Sequence, residues 1–168
     1  MAWGIGPGDA VFTTPFTYVA TAEVIALLGA TPVFVDVYDS TFNIDCEKLE
    51  IAIQETIKNG ELKPKAIIPV DLFGVPARYR LIDDIAKKYN LKVIEDGAQS
   101  FGASIGDKKV GTFGDVAATS FYPAKPLGCY GDGGAMFTND DSLAEQCKAI
   151  RIHGTRSDKY NSEVIGLN

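Results

Sequence analysis

Apolar positions along this chain fall into short, nearly continuous runs, separated by segments in which they recur every three or four residues. The runs are Ala10–Thr14, Pro32–Val37, Ala66–Val70, Leu91–Asp96 and Val116–Phe121. They are rich in β-branched residues, and Asp or Ser stands at or within one residue of several of their ends, the pattern of strands covered on both faces. Between them the spacing turns helical. Thr21 to Leu28 is short and apolar, Asp45 to Lys58 places Leu49, Ile53 and Ile57 on one face, and Tyr79 to Tyr89 turns Leu81, Ile82, Ile85 and Ala86 inward. A last helix is predicted from Asp141-Ser142, which are good N-cap residues, to about Ile152.

Strand followed by helix, repeated, predicts an α/β fold: three layers, a mostly parallel sheet with helices on both faces. In such sheets the working groups gather at the carboxyl ends of the strands. Asp36, Asp71, Asp96 and Ser120 all sit at or just beyond such ends. At 168 residues and 46% hydrophobic content the chain suits one core.

Charge and composition remove several classes. The net charge of −6 comes without a Lys/Arg cluster, which argues against a nucleic-acid groove. Cys46, Cys129 and Cys147 form no Cys-x-x-Cys pair, and a single histidine leaves no zinc quartet, so reduced thiols in a cytoplasm are expected. The N-terminus has no secretory signal pattern, and the most apolar stretch, Val24 to Val37, is too short and too interrupted to span a bilayer. A soluble, cytoplasmic protein is the expectation.

The segment from Ser120 to Ala135 carries the most chemistry. Lys125 lies in it among aromatics, prolines and glycines, surroundings that desolvate an amine, lower its pKa and favour the form that makes imines. Against this, a proline-flanked loop lysine is ordinarily a solvated surface group. Asp96, ending a buried strand and followed by Gly97-Ala98-Gln99-Ser100, offers a carboxylate that can keep a heteroaromatic ring nitrogen protonated; a helix cap or a structural ion pair is the competing role. Ser120 has a hydroxyl suited to a phosphate oxygen or to a turn, and Tyr18 can stack on a planar group or simply pack. Gly4-Ile5-Gly6-Pro7-Gly8 has the wrong spacing, and no preceding strand, for a dinucleotide fingerprint. Cys129 and His153 have no arguable partner and read as peripheral.

These residues fall in motifs that, taken together, resemble the DegT-type (StrS-like) sugar aminotransferases, pyridoxal-phosphate (PLP) enzymes of fold type I. The motifs are Gly6–Asp9, Pro15–Thr21, Leu28–Asp36, Ile94–Ala103, Gly111–Asp115, Ser120–Ala135 and Ile150–Gly154, in order and with fitting separations. The resemblance implies that Lys125 carries the cofactor as a Schiff base and later shuttles the proton. It also implies that Asp96 binds the pyridine nitrogen, Gln99 the ring hydroxyl and Ser120 the phosphate, with Tyr18 and Ala98 against the two ring faces. Gly166-Leu167-Asn168 resembles the start of a motif whose asparagine reaches the phosphate in the neighbouring subunit. Asn168 is thus a further cofactor-binding candidate, and a homodimer is implied.

By the same resemblance, residues 1–153 are the PLP-binding large domain, truncated at its N-terminus, and residues 154–168 begin the connection to a missing small domain. A fragment of this kind is expected to be inactive alone. The implied reaction moves an amino group from an amino acid, typically glutamate in the family, to a nucleotide-linked keto-sugar. The Phe121–Gly134 segment looks closest to members serving bacterial surface polysaccharides. Lys125 stands where the family's dehydratase branch has histidine, which favours transamination over dehydration or another elimination. A non-catalytic α/β regulatory domain, using Glu95-Asp96 as an acidic pair, is the reading from another class.

Overall fold

A computed structural model describes residues 1–155 and 160–167. The chain order is β1 (Asp9–Thr13), α1 (Ala20–Leu27), β2 (Thr31–Phe34), α2 (Cys46–Asn59), β3 (Lys63–Ile68), α3 (Tyr79–Tyr89) and β4 (Lys92–Asp96). A two-stranded ribbon follows, β5 (Ser104–Ile105) with β6 (Lys108–Lys109), and then β7 (Val116–Ser120), β8 (Gly134–Phe137) and α4 (Asp141–Ile150). Six strands form one sheet in the order β2-β1-β3-β4-β7-β8. All neighbours in it are parallel except β7 and β8.

Period-two alternation divides the strands between two cores. Ala10, Phe12, Ile67 and Val93 pack with Leu49 and Ile53 of α2 and Ile82 of α3. Val11, Ala66 and Ile68 point the other way, onto Ile25 of α1 with Ile94 alongside. Each of the large aliphatic side chains buried here contributes roughly 1.5–3 kcal/mol. Beyond Ile94, on the α1 face, the sheet borders a cavity of about 960 Å³ lined by Trp3, Val116, Met136, Leu143 and Cys147.

Helix ends follow their local chemistry. The Asp45 side chain accepts from the Glu47 and Lys48 amides at the start of α2, and Gly60 ends that helix at φ 72°. Asp140, one residue before the predicted start, caps α4 through the Leu143 amide, and the helix stops at Ile150.

Several expectations are corrected. Ile57 (52% exposed) and Leu81 (44% exposed) lie on solvent-facing sides of their helices, because the cores close over Leu49 and Ile53 and over Ile82 and Ile85. Strand β8 went unanticipated: it runs antiparallel at the sheet edge, begins in a glycine-rich stretch and buries little. The Asp36 carboxylate is a surface group paired with Lys48 at 2.6 Å, so its strand-end position serves the β2–α2 connection. Among the described residues no helix is long and apolar enough to cross a membrane.

Candidate active site

The register of β4 against β7 sets the site. Asp96 lies opposite Ala118 in a parallel pair, and Ser120 ends β7 two residues further on. Asp96 shares the α1 face with Ile94 by alternation, and Ser120 shares it with Val116 and Ala118. The two candidates therefore occupy neighbouring strand ends on one face of the sheet.

Past Ser120 the chain loops out and returns as β8. The Tyr122 amide donates to Ser120 Oγ (3.2 Å), the Lys125 amide to the Tyr122 carbonyl (2.8 Å), and the Cys129 amide to the Phe121 carbonyl (2.7 Å). The Phe121 amide closes the base of the loop onto the Gly133 carbonyl at 2.7 Å. At Gly128 a Cβ would sit 2.5 Å from the Pro123 carbonyl oxygen, so only glycine lets the backbone fold this closely over the lysine. Lys125 is half-buried at this carboxyl edge, and among the described residues its amine has no hydrogen-bond or ion-pair partner.

Asp96 is held by a residue that the sequence reading missed. The Thr21 hydroxyl, on α1, donates to Asp96 Oδ2 at 2.8 Å, and the Ala98 amide donates to Oδ1 at 3.2 Å. A carboxylate has room for about four such bonds, so acceptor capacity remains. The Thr21 amide in turn bonds the Tyr18 carbonyl (3.2 Å), which ties the Tyr18 loop to the Asp96 end of the sheet. The Tyr18 ring is 72% exposed and offers a free face. Gln99 lies in the turn after β4, and its Oε1 is buried without a hydrogen-bond partner, a state that costs about 1–3 kcal/mol unless a ligand or water satisfies it. Asn168 lies outside the described residues. Cys129 is exposed and donates to the Gly131 carbonyl, and His153 is exposed.

Glu95 and Asp96 point to opposite faces, which separates the supposed acidic pair. Glu95 is fully buried and accepts from the amides of Gly111 (2.8 Å) and Phe113 (2.9 Å). Burial pushes it up to about 7, although both amides favour its charge, and nearby Asp71 raises it further. Burial likewise raises Asp71 to about 6 against three hydrogen bonds, with Asp96 adding repulsion. Tyr79, stacked on Phe113 at 4.4 Å, donates its hydroxyl to Asp71, and its burial, reinforced by the charges of Asp71 and Glu95, pushes that hydroxyl well above its usual pKa.

Both acids bind protons more tightly folded than unfolded, so their stabilising contribution is complete below about pH 4 and declines as pH rises through 6 and 7. The loss expected from Glu95 is roughly 3 kcal/mol. Thermal melts between about pH 5 and pH 8 test this: the midpoint falls with rising pH, and Glu95→Gln flattens the slope. A wild-type midpoint that rises across that range contradicts the assignment.

The parallel six-stranded sheet with one antiparallel edge strand, and a lysine loop beside an acid-ended strand, define the large-domain fold of the fold type I PLP enzymes. Solved structures agree. One is a DegT DnrJ EryC1 StrS aminotransferase from Brucella abortus, with 57% identity and a TM-score of 0.97 over 98% of this chain and 44% of that one. Another, NtdA from Bacillus subtilis with bound cofactor PMP, has 34% identity and a TM-score of 0.85 over 99% of this chain and 36% of that one. Among curated proteins, a UDP-2-acetamido-2-deoxy-3-oxo-D-glucuronate aminotransferase of Pseudomonas aeruginosa is 53% identical over the whole chain. A protein of Geobacillus stearothermophilus named "Pleiotropic regulatory protein" is 52% identical over 99% of it. The chain belongs to the DegT/DnrJ/EryC1/StrS aminotransferase family, which it matches over residues 1–168. It spans 45% and 43% of the lengths of those two curated relatives.

The donor set fits the cofactor of that family. Asp96 has spare acceptor capacity for a protonated ring nitrogen, the Gln99 Oε1 lacks a donor that a ring hydroxyl supplies, and the Lys125 amine is unengaged. The Ser120 oxygen accepts from Tyr122, which leaves its own proton free for a phosphate oxygen.

Proposed function

We propose that this chain carries the cofactor-binding centre of a PLP-dependent aminotransferase that moves an amino group from an amino acid, glutamate first among them, to a nucleotide-linked keto-sugar. The observation that supports the proposal is the strand register: β4 ends in Asp96 beside β7, whose end opens directly into the loop that carries Lys125, and the turn after Asp96 holds the buried, unpartnered Gln99 Oε1. The P. aeruginosa relative, named for transfer to an oxidised UDP-sugar, supports the substrate class. The same proposal extends to a role in bacterial surface polysaccharide synthesis, on the likeness of the Phe121–Gly134 segment to members with that role. In this reading residues 1–153 belong to the PLP-binding large domain, residues 154–168 lead toward a small domain, and the working form is a cytoplasmic homodimer in which Asn168 reaches the partner's phosphate.

When bound, the cofactor supplies an electron sink that acidifies the carbon next to the transferred nitrogen. The protein does the rest. Asp96, fixed by Thr21 and Ala98, keeps the ring nitrogen protonated. Gln99 meets the ring hydroxyl, Ser120 donates to the phosphate, and Tyr18 and Ala98 cover the two ring faces. Lys125 would be the residue that holds the cofactor, and its amine, once free, would serve as the base that carries a proton between the two carbons flanking the transferred nitrogen. An elimination would use the same amine but would release water or ammonia.

The test uses protein made from the complete coding sequence, supplied with PLP, glutamate and a panel of UDP- and dTDP-linked keto-sugars. The expected products are 2-oxoglutarate and an amino-sugar in equal amounts. Release of water or ammonia in place of the amino-sugar would establish elimination, and absence of a visible cofactor band would remove the enzyme reading altogether.

A further inference from the structure

One buried aspartate holds both ends of the turn that carries Ala98 and Gln99, one through its backbone and the other through its carboxylate. Asp71 follows β3 and is fully buried. Its amide donates to the Asp96 carbonyl (3.1 Å), and the Asp96 amide donates to the Pro69 carbonyl (3.0 Å), so the β3–β4 ladder extends up to Asp96 itself. The side chain reaches the other end of the turn. Among the described residues its Oδ2 accepts from the Ser100 hydroxyl alone (3.0 Å), whereas Oδ1 accepts from the Ala77 amide (2.8 Å) and the Tyr79 hydroxyl (3.0 Å).

Within the turn, the Ser100 amide bonds the Gly97 carbonyl at 3.2 Å and the Ala98 amide bonds Asp96 Oδ1. Gly74, whose amide returns to the Asp71 carbonyl (3.0 Å), lies beneath the Gln99 carbonyl so closely that a Cβ there would approach to 3.3 Å. The backbone of Gln99 is thus supported from below. Without the Ser100 contact, the turn would keep its anchors at the near end, where Asp96 pairs with the β3 extension and the Gly97 amide donates to the Ala118 carbonyl (2.9 Å), but the Asp71 side chain would no longer hold its far end.

Burying a carboxylate costs several kcal/mol unless every lone pair is well used. Here one oxygen is given wholly to a serine that ends the turn. We propose that Asp71 and Ser100 form a bracket that positions the Asp96–Gln99 turn for the ring it binds, acting through that turn and touching no substrate. The bracket rests on the functional reading above for its purpose, but its effect on the turn can be measured without cofactor.

The experiment compares wild type, Ser100→Ala, Ser100→Thr and Asp71→Asn in protein from the complete coding sequence. Amide hydrogen exchange of residues 97–100 is measured without cofactor, PLP affinity is taken from titration of the visible band, and the thermal midpoint is recorded. Supporting contacts of this kind shift affinity by about 10–100-fold when removed. Ser100→Ala is expected to weaken PLP binding by about that factor and to speed exchange at Ala98 and Gln99 about 10-fold, with β3 and β4 still protected. Ser100→Thr, which keeps the hydroxyl, restores both. Asp71→Asn, isosteric and able to donate to Ser100, keeps the slow exchange. Unchanged exchange and affinity in Ser100→Ala overturn the proposal. So does loss of protection throughout the chain, which would make the pair a brace of the whole fold. A wild-type protein without a Lys125-dependent band refutes the functional reading instead, while the exchange data still decide whether the bracket exists.

Discussion

Lys125→Ala, in protein made from the complete coding sequence and incubated with PLP, abolishes the visible absorption band and lowers amino transfer by at least about 10⁴-fold. The magnitude follows from two losses at one atom: the amine is both the covalent anchor and the proton shuttle, and no other described lysine lies on the β7–β8 loop. Lys125→Arg retains a cation of similar length, but a guanidinium stays protonated near neutrality, so it can neither anchor the cofactor nor take up a proton there. It should be as inactive as the alanine variant. Thermal stability changes little in either, because the amine has no partner among the described residues to lose. Retention of the band, or activity within about 10-fold of wild type, would place the anchoring amine elsewhere.

Asp96→Asn carries the second-largest effect, on rate more than on folding. The amide oxygen can still accept from the Thr21 hydroxyl, so the tie between α1 and β4 persists, while the NH2 takes the place of the oxygen that accepted the weaker Ala98 bond. What disappears is the negative charge that keeps the ring nitrogen protonated. Loss of one such preorganised electrostatic partner lowers turnover by about 10²–10³-fold. Asp96→Ala loses the Thr21 and Ala98 bonds as well, so PLP affinity falls together with turnover. Single-turnover rates with glutamate, read at the visible band, separate the two variants. An Asp96→Asn enzyme within a few-fold of wild type would show that the carboxylate does not face the ring nitrogen.

Much of the site was legible because its chemistry is written in short segments. A buried strand ending in Asp96 and a glycine-rich loop around Lys125 are local patterns, and each constrains its own backbone: Gly128 is needed by Pro123, only five residues away. The residues that hold the site were harder to see. Thr21 lies 75 positions from Asp96, and Ser100 lies 29 positions from Asp71. Each is an ordinary hydroxyl in a turn or helix start, and nothing in its immediate neighbours shows which distant carboxylate it meets. Ile57 and Leu81 were assigned inward for a related reason: helical spacing gives the width of an apolar stripe but not where the neighbouring sheet ends.

By itself the sequence determined the alternation of strands and helices, the helix caps such as Asp45, and the positions of the chemically distinctive side chains, because these depend on interactions within a few residues. Only the tertiary structure decided that Glu95 and Asp96 part to opposite faces with separate tasks, that β8 runs antiparallel, and that Asp71 grips the turn behind Asp96. Period-two alternation states that neighbours diverge but not which layer covers which face. That choice belongs to the packing of α1 on one side and of α2 and α3 on the other, which is settled by contacts between segments far apart in the chain.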